Sequence, residues 1–137
     1  MPKKLLIVDD DDDTRIVLRD RLLSMGFEVV TENNGHSALS RIDLEARQGP
    51  IQGILLDLQM PMLDGMAVLG EIQKYHREIP VIMMSATADF GQLKKTLDVG
   101  ARGYLIKPLD NQLLREQCLR IFLGGNELSE ISSRDTH

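Results

Sequence analysis

Four unbroken apolar runs of strand length constrain the fold of this chain more than any other feature: Leu5-Leu6-Ile7-Val8, Ile54-Leu55-Leu56, Val81-Ile82-Met83-Met84 and Tyr104-Leu105-Ile106. A strand with one wet face alternates apolar and polar side chains, whereas a continuous run needs cover on both faces, as in a parallel sheet. A fifth stretch, Phe27-Glu28-Val29-Val30-Thr31, is β-branched and follows the turn signal Met25-Gly26, so it reads as a strand too.

Between the runs, apolar residues recur at helical spacing. Val17, Leu18, Leu22 and Met25 form one stripe, which leaves Arg15, Arg19 and Asp20 on the wet side. Ala38, Leu39 and Ile42 follow the Asn34-Gly35 turn, and Asp64 reads as the N-cap of a helix carrying Met66, Val68, Leu69 and Ile72. Leu93, Leu97 and Val99 mark a fourth helix ended by Gly100, and Leu113, Leu114, Cys118, Ile121 and Phe122 a fifth that stops near Gly124-Gly125. Parallel strands need right-handed crossovers, so this alternation predicts an α/β fold, a doubly wound five-stranded parallel sheet with five helices.

The 137 residues suit one domain, expected over residues 1–123, with 124–137 a polar tail or the start of a linker. A chain of this length buries roughly two thirds of its unfolded surface, so a core needs no covalent staple. The lone Cys118 rules out an internal disulfide framework or a cysteine zinc cluster. Sixteen basic against 21 acidic residues leave a formal charge of −5, which disfavours nonspecific binding to nucleic acid or anionic lipid. The apolar stretch Leu5–Val8 is too short for a signal peptide or a membrane span, so a cytoplasmic protein is expected.

Ligands of open parallel sheets gather at the carboxyl ends of the strands. There this chain places Asp9 to Asp13, Asp57, Ser85 with Ala86 and Thr87, and Lys107 followed by Pro108. Each has an ordinary explanation alone: helix capping for the acids, a turn for Asp57, a solvated strand end for Lys107. Together on one sheet edge they favour function. Carboxylates packed this densely repel one another unless a cation intervenes, and Mg²⁺ suits hard oxygen ligands and keeps waters exchangeable for phosphate oxygens. Asp12 and Asp13 are expected to cap the helix, leaving Asp9 and Asp10 for chemistry. A carboxylate flanked by a metal and an ammonium can act as nucleophile toward phosphorus.

At Ile7-Val8-Asp9-Asp10, Leu56-Asp57-Leu58-Gln59-Met60-Pro61-Met62-Leu63-Asp64-Gly65, Ser85-Ala86 and Gly100-Ala101 through Tyr104-Leu105-Ile106-Lys107-Pro108, the sequence resembles the receiver domain of two-component response regulators, the CheY-like family. The resemblance covers residues 3 to about 123 and implies a flavodoxin-like fold. It implies Asp57 as the phosphoacceptor, served by a sensor histidine kinase or a histidine phosphotransfer protein. It also implies a Mg²⁺ site from Asp9, Asp10, Asp57 and the backbone carbonyl of Gln59, with Ser85 and Lys107 contacting the phosphoryl group. Ser85 and Tyr104 would form the switch, and the Lys107-Pro108 peptide would be cis. Gln59 and Thr87 lie where the family tunes phosphoryl lifetime. Leu109, where many members have Phe, and Ser85, where Thr is also common, are the departures from the family pattern, together with the extra acid Asp11.

A receiver implied in this way catalyses only its own phosphorylation and dephosphorylation and is no enzyme toward a separate substrate. Its output would pass to a downstream protein or a fused effector domain, through a face containing Lys94, Lys95, Arg102, Tyr104 and Arg115, with homodimer formation left open and no direct nucleic-acid or membrane contact. Two alternatives are an aspartyl-phosphate phosphohydrolase and an unphosphorylated receiver-like scaffold. Against the first, Gln59 stands where such an enzyme has its general acid. Against the second stands the intact set Asp10, Asp57, Ser85 and Lys107. Met60, Met62, Met66, Met83, Met84 and Cys118 are expected to pack, His36 and His76 lack partners at metal-ligand spacing, and His137 lies in the tail.

Overall fold

Alternation of strand and helix runs through the computed structural model, which describes residues 2–123. The 124–137 tail expected from sequence lies outside the described residues. The strands are β1 Lys4–Val8, β2 Glu28–Glu32, β3 Gly53–Asp57, β4 Val81–Ser85 and β5 Gly103–Ile106; the helices are α1 Asp12–Ser24, α2 Gly35–Glu45, α3 Gly65–Tyr75, α4 Phe90–Val99 and α5 Asn111–Phe122. All strand pairs are parallel, in the order β2-β1-β3-β4-β5. Strand order reverses at β1, so the carboxyl ends of β1 and β3 diverge into a crevice.

Burial explains the unbroken runs. β1, β3 and β4 are the interior strands, and Leu5 to Val8, Ile54 to Leu56 and Val81 to Met84 are all fully buried. Successive side chains go to opposite faces. Leu6, Val8, Ile54, Leu56, Val81 and Met83 pack under α2 and α3 with Ala38, Ile42, Val68, Leu69 and Ile72. Leu5, Ile7, Leu55, Ile82, Met84 and Leu105 pack under α1 and α5 with Leu18, Leu22, Leu114, Cys118 and Phe122. Phe27 meets Phe122 edge to face at 6.4 Å, tying the entry of β2 to the end of α5. Strand β2, on the sheet edge, starts one residue later than expected and buries Val29 and Val30 only partly.

Every helix starts on an Asp or Asn whose side chain accepts a first-turn N–H: Asp11, Asn34, Asp64, Asp89 and Asp110. Such caps contribute about 1 kcal/mol each. The cap of α1 is Asp11 rather than Asp12 or Asp13, which occupy the first turn, where the helix dipole favours negative charge. None of the described helices is long and apolar enough to cross a membrane.

Several stripe assignments fail. Val17, Leu97, Val99 and Leu113 are 45%, 45%, 40% and 52% exposed. On α4 the buried residue is instead Thr96, whose hydroxyl donates to the Leu93 carbonyl and so needs no other partner. Met60 is buried as expected, but Met62 is 92% exposed in the loop after β3, with φ +69°, a left-handed conformation that glycine tolerates better. His76 Nε2 lies 3.2 Å from Asp43 Oδ1, an ion pair only when the imidazole is protonated.

Cys118 is fully buried, and burial pushes its thiol up to about 12. A thiol reagent at pH 8 is therefore expected to leave the folded protein unmodified and to label it stoichiometrically in denaturant; rapid labelling of the native state would show that α5 is not packed as described.

Candidate functional site

The crevice at the switch point is where the chain gathers its charges. Asp57 ends β3 and Asp9 directly follows β1, the neighbouring strand, so sheet pairing alone brings the two carboxylates together. Asp9 is fully buried, Asp57 is 3% exposed, and Asp10 is exposed. One carboxylate oxygen from each of Asp9, Asp10 and Asp57 lies within 4.8 Å of the others. From the loop after β5, Lys107 reaches across: its Nζ is 2.7 Å from Asp9 Oδ2 and 3.3 Å from Asp57 Oδ2. The Lys107-Pro108 peptide is cis.

Both Asp9 oxygens have partners, since Oδ1 accepts the Asp11 N–H at 2.9 Å and Oδ2 the Lys107 ammonium. Asp57 Oδ1 accepts the Gln59 N–H at 3.2 Å. Burial, and secondarily the Asp9 charge, raises the Asp57 pKa to about 6; Lys107 and the Gln59 N–H offset part of that rise. Asp57 is consequently mostly ionised at neutral pH and retains a nucleophilic oxygen. Burial works against the Lys107 ammonium, but the Asp9 hydrogen bond and the charges of Asp57 and Asp9 outweigh it and hold its pKa above the usual lysine range.

Ser85 ends β4 fully buried. Its Oγ lies 3.2 Å from Thr87 Oγ1 and accepts the Thr87 N–H at 3.1 Å. The loop after β4 is held from both sides: the Ala86 N–H donates to Gln59 Oε1 and the Thr87 hydroxyl to Gln92 Oε1, both at 3.4 Å. Tyr104 is half-buried on β5, packs against the α2–α3 side of the core, and donates its hydroxyl to the Thr87 carbonyl at 3.4 Å.

Two site neighbours escape a reading of the sequence. Arg15, expected to be solvated, is 16% exposed; it donates to the Asp9 carbonyl at 2.6 Å and pairs with Asp12. Its signal was a cation in the first turns of a helix that starts in an acid cluster. Gln92, in the first turn of α4, shows no motif at all. Gly65 has a mechanical role at the start of α3: its N–H donates to the Leu58 carbonyl at 3.0 Å, and a Cβ there would stand 2.6 Å from Leu58 Cα.

Three oxygen donors converging in a crevice, one of them solvent-accessible, fit Mg²⁺, which takes few carboxylates and retains water. The family model described as the response regulator receiver domain matches residues 5–118. The chain belongs to that family. It is thereby a receiver of two-component signalling, a family of switches rather than of enzymes acting on separate substrates. The receiver is 36% identical over 135 residues to "Probable transcriptional regulator ycf27" of Cyanophora paradoxa, covering 98% of this chain and 54% of that protein. It spans about half the length of the ycf27 relatives it matches. Among solved structures it resembles the CheX-CheY-BeF₃-Mg²⁺ complex of Borrelia burgdorferi, with TM-score 0.84, 30% identity, and coverage of 90% of this chain and 92% of that one. It also resembles the receiver domain of the sensor histidine kinase PA1611 from Pseudomonas aeruginosa, solved with magnesium coordinated in its active-site cleft, with TM-score 0.77, 27% identity, and coverage of 89% and 98%.

The site sets two expectations, one from its charges and one from its packing. A carboxyl whose folded pKa exceeds its unfolded value binds more protons in the native state, so its favourable contribution is complete below pH 4 and disappears as pH rises through about 6. In metal-free protein, Asp57→Asn should therefore be more stable than the parent by on the order of 2 kcal/mol at pH 7 and by little at pH 4. Chemical denaturation at both pH values checks this, and a difference independent of pH would contradict it. Gly65→Ala should displace the end of β3 at Asp57 and the loop that follows it, and reduce stability by about 1–3 kcal/mol; an unchanged denaturation midpoint would show that α3 has room to retreat.

Proposed function

We propose that the receiver accepts a phosphoryl group on Asp57 from a phosphohistidine of a sensor histidine kinase or a histidine phosphotransfer protein. The observation that carries this reading is the Asp57 carboxylate itself, buried at a strand end and 3.3 Å from the Lys107 ammonium. An Asp57 oxygen attacks phosphorus as the phosphorus–nitrogen bond of the donor breaks, and the imidazole leaves with the bonding pair. Lys107, anchored on Asp9, neutralises charge on the transferring oxygens, and Ser85 donates its hydroxyl to one of them. Asp9, Asp10, Asp57 and the Gln59 carbonyl would hold Mg²⁺, which would supply the remaining positive charge. Water later hydrolyses the aspartyl-phosphate, so the domain catalyses only its own phosphorylation and dephosphorylation. The Gln59 side-chain amide has no acidic proton for a leaving group, which disfavours a phosphohydrolase with a separate substrate.

Phosphorylation then draws the Ser85 hydroxyl toward Asp57, and Tyr104 and the β4–α4 loop follow, an equilibrium between two packed states shifted by a new charge. Residues 1–123 form the phosphoacceptor domain in this reading, working in the cytoplasm, with 124–137 a tail or linker. Output goes to a partner protein or an effector domain, by way of the surface around α4, β5 and α5. That surface leaves Leu97, Val99, Ile106 and Leu113 exposed.

Intact-mass spectrometry after incubation with a small-molecule phosphodonor should show one Mg²⁺-dependent, base-labile phosphoryl adduct, absent in Asp57→Asn. Undiminished incorporation in that variant would move the acceptor elsewhere. No adduct in the parent, from either the small donor or a phosphohistidine protein, would refute phosphoacceptance.

A further inference from the structure

Counting protons along one line of hydrogen bonds gives Gln92 a role. Ser85, Thr87 and Gln92 are joined oxygen to oxygen, 3.2 Å between the two hydroxyls and 3.4 Å from Thr87 Oγ1 to Gln92 Oε1. An amide oxygen only accepts, so Thr87 is the donor to Gln92. A hydroxyl has one proton. With the Thr87 proton on Gln92, the contact between Ser85 and Thr87 is a hydrogen bond only if Ser85 donates. The Ser85 proton is therefore committed to Thr87 and is not free for another acceptor. The Thr87 N–H, donating to Ser85 Oγ at 3.1 Å, occupies one of that oxygen's lone pairs and reinforces the orientation.

We infer that Gln92 is a positioning residue that holds the Ser85 hydroxyl in its unphosphorylated orientation, acting through Thr87. The inference rests on the reading of Asp57 and Ser85 as the phosphoryl site. To donate to a phosphoryl oxygen, Ser85 must withdraw its proton from Thr87, and Thr87 then loses a donor while its own proton stays committed to Gln92. Without an acceptor at position 92, Thr87 can turn its proton onto Ser85 Oγ and leave the Ser85 proton free for the phosphoryl group. Gln92 thus opposes occupation of the site, and because it lies in the first turn of α4, the same bond ties that helix to the state of Ser85. Tyr104, whose hydroxyl donates to the carbonyl of Thr87, is attached to the same residue by a separate bond.

Beryllofluoride with Mg²⁺, a phosphoryl mimic, tests this without a kinase. Gln92→Met keeps the length of the side chain and removes the strong acceptor, and should bind beryllofluoride about threefold more tightly than the parent, the scale of one solvent-accessible hydrogen bond. In a Thr87→Val background, which has no hydroxyl to orient, the same substitution should change nothing. Equal or weaker binding by Gln92→Met, or an equal gain in both backgrounds, would overturn the inference and make Gln92 a local feature of α4. The parent is titrated first: if it fails to bind beryllofluoride, the phosphoryl site itself is refuted and the role of Gln92 falls with it, whereas binding by the parent confines any failure to Gln92.

Discussion

Three carboxylates share the crevice at the carboxyl ends of β1 and β3 with one ammonium, and the rest of the architecture is arranged around that imbalance. Two of the acids are almost withdrawn from water, which would be prohibitive without fixed partners. The backbone supplies several of them: the Asp11 N–H holds Asp9 and the Gln59 N–H holds Asp57. Lys107 supplies the rest, and it comes from the far edge of the sheet, so β4 and β5 must both be in register for the acids to be neutralised. Lys107 lies closer to Asp9 than to Asp57, and at Asp57 burial, with the Asp9 charge second, outweighs the ammonium and raises the pKa. The residual negative charge favours a divalent cation, and the exposed Asp10 offers it a way in.

Much of this was legible in the sequence because a parallel sheet turns sequence position into spatial position. Once the unbroken runs are taken as strands, Asp9, Asp57, Ser85 and Lys107 must all stand on one edge, although as many as 98 residues separate Lys107 from Asp9. Helix starts were readable for a similar reason, as Asp64 shows, because capping is a local bond between a side chain and an N–H two or three residues on. Within the run of acids the same rule pointed to Asp12 and Asp13, but the cap is Asp11. Asp11 caps because β1 ends at Val8 and the chain needs Asp9 and Asp10 to turn out of the sheet before a helix can begin.

What sequence did not reveal depends on tertiary direction. Val17 and Leu18 are adjacent apolar residues on one helix, and only the tilt of α1 on the sheet decides that Leu18 is buried and Val17 exposed. Leu97 and Val99 fail likewise, and Thr96, just ahead of them, can be buried because its hydroxyl is satisfied within its own helix. Arg15 looked like a solvated residue, yet the carbonyl it holds belongs to Asp9, six positions earlier, and only the bend between strand and helix brings the two together. Gln59 and Gln92 lie on different elements, and their common grip on the loop after β4 exists only in three dimensions.

The sparse burial of α4 has a mechanical consequence. The four other helices each bury two or more side chains against the sheet, whereas α4 buries Thr96 alone and turns Phe90, Leu97 and Val99 outward. Its attachment accordingly leans on polar links such as the one from Thr87 to Gln92 at its start, and polar links are weak and reversible in water. The domain therefore divides into a stiff platform, the three interior strands with their charged edge, and one compliant rod lying across it. In a solid of this kind a small force applied at the edge is spent on the part with the lowest spring constant, so a local change at Asp57 would be expressed as displacement of α4 rather than of the sheet beneath.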